Sequence, residues 1–406
     1  MILMHTENSV LKEQTVMIVS IMINIAAVKM TAIYTERRHV YMGLDKHGFY
    51  TCKDILKEKA LYNIIIGERA PGKSYAVKRE SLQYAWKAKQ PTIALLRRYE
   101  EDIKNDAVTE YFADNNQSSG GSGDISVITG GEYDAVISFR SDLYFASKDP
   151  DSGSYIRGIC CGKVFALNSD ERYKSRQFPY MHDLIFEEFV TQKLYLRNEC
   201  SRLQQFVSTI FRKREGRVWM IANTISRVCP YFYEWSLNKI PYMKQGQIDR
   251  YLIDDTVIAV EFAPSAPKKS RMFFGKSAKA IQGGEWESDN YPSLPDDYES
   301  YDVIYEMYLR TSYFEHKFLI QLLVDDDGDK LVFIQPVFKT VTPDLPTLTD
   351  EFSVSRNVHR YLRRDHKAER AIAALYAEKK VCFSSNLCGA DFYGVVRNAP
   401  GIMTAH

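Results

Sequence analysis

The sequence predicts an α/β protein with a mainly parallel sheet and helices on both faces. Short apolar runs alternate with segments of helical spacing, and residues 62–66 and 92–96 form two such runs. Strands that helices cover on both faces carry continuous apolar runs of this kind. Alternation of strand and helix is typical of a parallel sheet.

The first half of the chain supplies these elements in order. Residues 73–89 have helical spacing, and residues 100–112 look helical too. Residues 115–124 (NNQSSGGSGD) predict a flexible loop. From there to about residue 167, runs such as ISVITG and DAVISF alternate with Gly, Asp and Ser, which predicts hairpins inserted in the domain.

Two more buried strands are predicted at residues 183–189 and 217–222. Between them, residues 198–212 predict an amphipathic helix with Asn198 as its N-cap. The apolar positions of this helix recur at the spacing of one helical face: Leu203, Phe206, Val207, Ile210 and Phe211.

A break at residues 263–270 (APSAPKKS) is a linker candidate. Beyond it, residues 302–338 predict strands and residues 351–376 a largely helical segment. Residues 325–329 (DDDGD) could be a metal cluster, but apolar runs on both sides favour a hairpin turn.

These patterns divide the chain into four parts. They are an N-terminal extension, an α/β domain, a linker and a smaller α+β domain: residues 1–46, 47–264, 265–297 and 298–406. Two domains agree with a length of 406 residues.

The charge balance gives no global sign of nucleic-acid binding. The formal net charge is +1, from 53 basic and 52 acidic residues, so a nucleic acid would have to meet local basic clusters. Residues 268–279 and 360–370 are two such clusters, and each is equally well read as a solvated charged face.

The N-terminal apolar run, residues 15–30, is too short to span a bilayer comfortably and makes a poor signal peptide. It is expected either to lie on the surface or to precede a natural start at Met30 or Met42. The seven cysteines show no zinc spacing, which favours buried free thiols in a reducing cytosol.

Residues 67–74 (GERAPGKS) match the phosphate-binding pattern GxxxxGK[ST] between a predicted strand and a predicted helix. Gly67 and Gly72 would let backbone N–H groups wrap phosphates. Lys73 would reach the β- and γ-phosphates of ATP, and Ser74 would ligate Mg²⁺. A chance glycine-rich turn is the alternative.

Glu187 and Glu188 end the predicted strand at residues 183–189. Beside a P-loop, Glu187 would hold a water bound to Mg²⁺ and Glu188 would polarise the water that attacks the γ-phosphate. Adjacent acids are also common on solvated faces, which is the alternative. The catalytic interpretation depends on the buried strand that precedes the two glutamates.

Two residues further along have open alternatives. Arg212 ends the amphipathic helix, where it would complement the helix dipole or act as an arginine finger on a neighbouring subunit's ATP. Asn223 follows the strand at 217–222 and is either a γ-phosphate sensor or a turn former.

At these residues the chain resembles the DNA encapsidation ATPases of phi-29-like podophages. Four stretches carry the resemblance: IIIGERAPGKSYAVK, IALLRRYEEDI, DLIFEEF and STIFRKREGRVWMIANTISRVCPYF. The similarity extends from about Phe49 to near Val396 and is weaker in the second half.

The resemblance implies a P-loop NTPase of the ASCE type, an ATP-driven motor that forms a ring, usually a pentamer, at the capsid portal and moves viral DNA into a preformed capsid. It implies ATP and Mg²⁺ as cofactors, double-stranded DNA as cargo, a place in the host cytoplasm and transiently on the procapsid, and in some relatives a packaging RNA. It further implies a trans-acting arginine at Arg212, a weaker trans candidate at Lys174, and a nucleotide contact for Arg97.

The family usually has Asp-Glu where this chain has Glu187-Glu188, so the two roles could be exchanged. The family's second domain resembles a ribonuclease H-like nuclease that has lost its metal-binding acids, and here its first strand offers Asp302 and Glu306. Two rivals stay open: a terminase with an active nuclease, and a nucleotide-gated assembly protein without motor activity.

Overall fold

The computed structural model describes residues 43–45, 48–69, 72–116, 120–237, 239–265, 290–295, 301–312, 314–337 and 345–406. Within them the chain forms two sheets, one of nine strands and one of six. The extension at 1–46 and the linker at 265–297 lie mostly outside the described residues, as does the basic cluster at 268–279.

The first sheet has the order β3-β4-β5-β2-β6-β7-β1-β9-β8. Its six central strands, from β5 to β9, run parallel, and antiparallel pairs close both edges. The strands are β1 Tyr62–Ile66, β2 Ile93–Arg97, β3 Ala135–Phe139, β4 Asp142–Lys148, β5 Tyr155–Ala166, β6 Asp183–Glu187, β7 Arg217–Ile221, β8 Ile248–Ile253 and β9 Thr256–Phe262.

Helices cover both faces of this sheet, as predicted. Along β1, Ile64 and Ile66 face one apolar core whereas Ile65 faces the other, because successive side chains of a strand alternate. The helices are α1 Lys73–Ala88, α2 Asn105–Tyr111, α3 Asp124–Thr129, α4 Glu199–Phe211 and α5 Pro230–Glu234. The long helices α1 and α4 bury their apolar faces in opposite cores.

The second sheet has the order β14-β13-β10-β11-β12-β15. Strands β10, β11 and β12 form an antiparallel meander. Strand β13 pairs in parallel with β10 on one side, and β15 pairs in parallel with β12 on the other. The elements are β10 Asp302–Thr311, β11 Phe314–Val324, β12 Lys330–Val337, β13 Thr347–Leu348, β14 Val358–His359, α6 Lys367–Ala377, β15 Val381–Phe383 and α7 Asn386–Asn398. The predicted turn at residues 325–329 is confirmed, since it joins β11 to β12.

Four local predictions were wrong or incomplete. Residues 124–129 form helix α3 rather than a hairpin strand: Gly123 and Gly130, both in left-handed conformation, bound a short helix that buries Ile125 and Thr129. A break at Lys104 divides residues 100–112 into a 3-10 turn and α2. Residues 351–366 are not helical, since β14 pairs with β13 there. Asn198 holds the N-cap position of α4 but makes no side-chain cap bond.

Candidate nucleotide site

The P-loop and the paired carboxylates lie at the same edge of the first sheet. One strand, β7, separates β1 from β6, and all three run parallel. Ile221 is in register with both Ile65 and Glu187, so the segments that follow these strands emerge side by side. The P-loop and the paired glutamates, which the sequence predicted at the ends of two parallel strands, therefore lie close together.

A cavity of about 710 Å³ opens at this edge, a volume in the range of small-molecule sites. Its walls come from the P-loop, the ends of β6 and β7, and the segment before β1. The lining residues are Asp45, Phe49, Arg69, Gly72, Lys73, Ser74, Tyr75, Asp114, Ser122, Glu187, Glu188, Ile221, Ala222 and Asn223.

Two glycines shape the P-loop. Gly67 has φ +150° and Gly72 has φ +95°, conformations that L side chains rarely adopt. Gly72 is the residue before α1, so the first N–H groups of that helix face the cavity with the positive end of its dipole. Ala70 and Pro71 lie outside the described residues.

Lys73 is buried and directed back into the loop. Its ammonium donates to the carbonyls of Gly67 and Glu68 and to Asn223 Oδ1 at 3.0 Å. Burial lowers the pKa of Lys73 to about 8, against the opposing effect of Glu187 and Glu68. The role of Asn223 was left open by the sequence, and this contact places its side chain directly at Lys73.

Glu187 lies on the floor of the site. Tyr111 donates its phenolic hydrogen to Glu187 Oε1 at 2.6 Å. Burial raises the pKa of Glu187, while the hydroxyls of Tyr111 and Ser74 and the charges of Arg97 and Lys78 lower it. The carboxylate thus adjoins the hydroxyl that the P-loop pattern assigns to a metal ion.

Glu188 has the opposite environment. Its side chain is 70% exposed, and its backbone has φ +55°, which is uncommon outside glycine and costs on the order of 1–3 kcal/mol. Arg97 pairs with its carboxylate at 3.3 Å, and Arg98 donates to its carbonyl oxygen at 3.0 Å. Backbone strain held in place by neighbours is a feature of functional sites.

Sequence reasoning missed three groups here. Arg98 is buried and forms a two-pronged ion pair with Glu199 at 2.9 and 3.0 Å. Tyr111 bonds Glu187, and the buried Glu68 has one carboxylate oxygen without a partner among the described residues. Burial raises the pKa of Glu68 to about 7. The sequence shows two adjacent arginines, but it does not show that Arg97 contacts Glu188 at the site whereas Arg98 is buried against Glu199.

Arg212 and Lys174 lie together, away from this chain's own P-loop. Arg212 Nη2 donates to the carbonyls of Lys174 and Arg176, at 3.4 and 2.9 Å. Arg212 comes before β7, whereas the P-loop follows the parallel neighbour β1, and the five residues of β7 span about 16 Å. Arg212 therefore lies at the opposite edge of the sheet.

The second sheet carries the two acidic residues, Asp302 and Glu306, that the sequence offered as remnants of a metal site. Asp302 is exposed at the start of β10, and Glu306 accepts a hydrogen bond from Gln321 at 2.7 Å. Among the residues that the structure describes, His, Cys, Asp and Glu form no group of three that could hold a metal ion. Within the same residues, no helix is long and apolar enough to cross a membrane.

Comparison with known proteins assigns the family. The family model for the podovirus DNA encapsidation protein (Gp16) matches residues 145–378, more than half of the chain. The chain belongs to this family. The matched segment includes the strand that leads to the paired glutamates, the helix that precedes Arg212 and most of the second sheet.

Individual relatives agree with that assignment. The DNA packaging protein of Bacillus phage phi29 is 27% identical over 252 residues, which cover 61% of this chain and 67% of the relative. That of Bacillus phage B103 is 25% identical over 241 residues, covering 58% and 65%. The fold is similar to a chain of the bacteriophage phi-29 genome packaging motor assembly, with TM-score 0.51, 20% identity and coverage of 87% and 99%.

Proposed function

We propose that this encapsidation protein is an ATP-driven motor that moves double-stranded viral DNA into a preformed capsid. One observation carries the proposal: Lys73 and Ser74 at the end of β1 share a cavity with Glu187 and Glu188 at the end of β6. The family assignment and the packaging proteins among its relatives support the choice of DNA as cargo.

The residues present fit ATP with Mg²⁺. The cavity has the size for a nucleotide, its floor holds a buried cation at Lys73, and the helix α1 N-terminus faces it. Mg²⁺, when bound, would neutralise charge on the β- and γ-phosphates. Ser74 and Glu187 would be the oxygen ligands available for it, since both line the cavity.

The two glutamates suit different tasks. Glu187 is buried and held by the hydrogen bond from Tyr111, as a residue that positions a metal-bound water must be. Glu188 reaches solvent and is oriented by Arg97, as a residue that polarises the attacking water must be. This supports the original assignment over the exchange of roles. Asn223 would sense the γ-phosphate through its contact with Lys73.

We infer that the site is completed by a neighbouring copy. Arg212 and Lys174 lie at the far edge of the sheet from the P-loop, so their guanidinium and ammonium groups would serve the nucleotide of an adjacent subunit in a ring. A pentameric ring on the capsid portal, with or without a packaging RNA, is the assembly that the family resemblance suggests.

We propose the domain limits given above, 47–264 and 298–406, and a degenerate ribonuclease H-like fold for the second domain. The strand order β12-β11-β10-β13-β14, with an antiparallel meander followed by parallel strands, supports that fold. Incubation with Mn²⁺ and plasmid DNA tests the rival nuclease: we expect no cleavage, and cleavage would favour a terminase.

The proposed function is tested by measuring ATP hydrolysis and DNA packaging together. Lys73→Ala should lose both, because no other ammonium is placed in the described part of the P-loop. Lys87→Ala, an exposed change in the same helix, is the matched control and should keep both. A Lys73→Ala protein that still packages DNA would refute the motor, and nucleotide binding without hydrolysis would favour an assembly protein.

A further inference from the structure

Helix α7 of the second domain packs against the segment that follows β7. Val228 in that segment is buried in the core of the second domain together with Phe392 and Val395 of α7. Gly394 permits the close approach, since a Cβ there would lie 3.0 Å from a methyl group of Val228. The segment after β7 is thus held by the other domain.

An ion pair fixes the same segment to α7. Arg227 and Asp391 meet in a two-pronged contact, Nε to Oδ1 at 3.2 Å and Nη2 to Oδ2, with side chains 13% and 8% exposed. Burial raises the pKa of Asp391, and Arg227 opposes that effect. Arg227 is only four residues beyond Asn223, which contacts Lys73.

A second contact joins α7 to the segment that follows β6. Arg397, near the end of α7, donates to the carbonyl oxygen of Gln192, which is four residues beyond Glu188. The Gln192 side chain in turn donates to the carbonyl of Ile225 at 3.3 Å. The segments after β6 and β7 are therefore joined to each other and to a single helix.

We propose that α7 couples the nucleotide site to the second domain, with Arg227, Asp391 and Arg397 as the residues that join the two. Both segments begin at groups facing the proposed γ-phosphate and end on one rigid helix. A shift of Glu188 or Asn223 on hydrolysis is therefore transmitted to α7, because a packed interface with fixed ion pairs moves as a unit. The proposal rests on the proposed ATPase function.

The test compares hydrolysis without DNA, hydrolysis with DNA, and DNA length packaged per ATP. Asp391→Asn and Arg397→Ala should leave basal hydrolysis and the KM for ATP unchanged, since neither side chain lines the nucleotide cavity. Both should lower the DNA-stimulated rate and the length packaged per ATP by about tenfold, the size of a typical coupling. Asp391→Glu should recover part of the loss.

Two variants guard against misfolding. Arg397 is exposed, so its truncation leaves no buried charge unpaired, in contrast to Asp391→Asn. Glu351→Gln removes an exposed ion pair with Arg310 in the same domain and should change nothing. Normal DNA stimulation in both Arg397→Ala and Asp391→Asn would overturn the coupling while the ATPase proposal stands. A wild-type protein without basal hydrolysis would overturn both.

Discussion

Two adjacent glutamates acquire opposite properties from their surroundings. Glu187 is buried, so desolvation raises its pKa, whereas Glu188 projects into solvent from a left-handed backbone. The chain turns at Glu188 because Arg98 holds the backbone carbonyls of Glu188 and Phe189. The same residue type thus yields one buried, hydrogen-bonded carboxylate and one solvent-facing carboxylate.

Replacing Glu188, the proposed base, should separate ATP binding from ATP hydrolysis. Glu188→Gln keeps the size of the side chain and removes its charge, so we expect ATP binding to persist while kcat falls by about 10²–10⁴-fold. Binding of a fluorescent ATP analogue and steady-state phosphate release measure the two effects. Glu215→Gln, an exposed change before β7, should leave both values as in wild type. A loss of binding equal to the loss of rate would contradict the assigned role.

The tyrosine that bonds Glu187 should set the pH dependence of hydrolysis. The Tyr111 hydroxyl favours the ionised carboxylate, so Tyr111→Phe should raise the pKa of Glu187 further. The ionised form would then appear only at higher pH, and the acid limb of the kcat/KM profile should move upward. Tyr99→Phe removes a phenol bonded to the carbonyl of Leu194 and should not move that limb. An unchanged or downward-shifted limb in Tyr111→Phe would show that Glu187 does not titrate in this step.

At the scale of elements, a buried arginine joins the ends of β2, β6 and the start of α4. Arg98 follows β2, pairs with Glu199 in the first turn of α4, and donates to the carbonyls after β6. Tyr231 of α5 donates to the same Glu199 at 3.0 Å. A buried charge is stable here because hydrogen bonds from several elements replace the lost water.

Truncating this arginine should be far more damaging than truncating an exposed one. Arg98→Ala leaves the Glu199 carboxylate buried without its partner, so we expect a loss of about 3–5 kcal/mol in the free energy of unfolding. Arg172→Ala breaks an exposed pair with Glu100 and should cost about 0–1 kcal/mol. Urea unfolding followed by circular dichroism compares them. Equal losses in the two variants would mean that burial does not decide the strength of these pairs.

At the scale of the whole molecule, the edge that carries Arg212 and the edge that carries the P-loop face opposite ways. A head-to-tail ring brings unlike edges of successive subunits together and closes without leaving either edge unused. Such an arrangement requires two chains for one complete site. In such a ring, activity should therefore depend on interfaces at which the P-loop of one chain meets Arg212 of its neighbour.

Mixing two inactive variants tests this dependence. Arg212→Ala retains its P-loop, and Lys73→Ala retains its arginine, so each alone should be inactive in hydrolysis and packaging. A mixture should regain part of the activity, because an Arg212→Ala P-loop can meet the intact arginine of a Lys73→Ala neighbour. Lys213→Ala, the adjacent basic residue, should remain active by itself. Full activity of Arg212→Ala, or a mixture that regains nothing, would contradict the trans role.

Much of the P-loop domain followed from local pattern. The strands at β1, β2, β6 and β7 were predicted within a few residues, because continuous apolar runs and glycine boundaries mark buried parallel strands. The P-loop, the paired glutamates and Asn223 were predicted from their places after those strands. Helix α3 was not, since a short helix with two buried residues carries too weak a periodicity. The segment before α6 was not either, because β14 forms there by pairing with β13.

The sequence by itself determined which residues follow which strands, and the parallel sheet then placed their ends at one edge. Only the tertiary structure decided how those residues differ: that Arg97 faces the site whereas Arg98 is buried, that Tyr111 reaches Glu187, and that Arg227 meets Asp391 across the domains. The physical reason is distance along the chain. Local pattern fixes periodicity and turns, whereas burial, pKa and ion pairing depend on neighbours brought together from far apart.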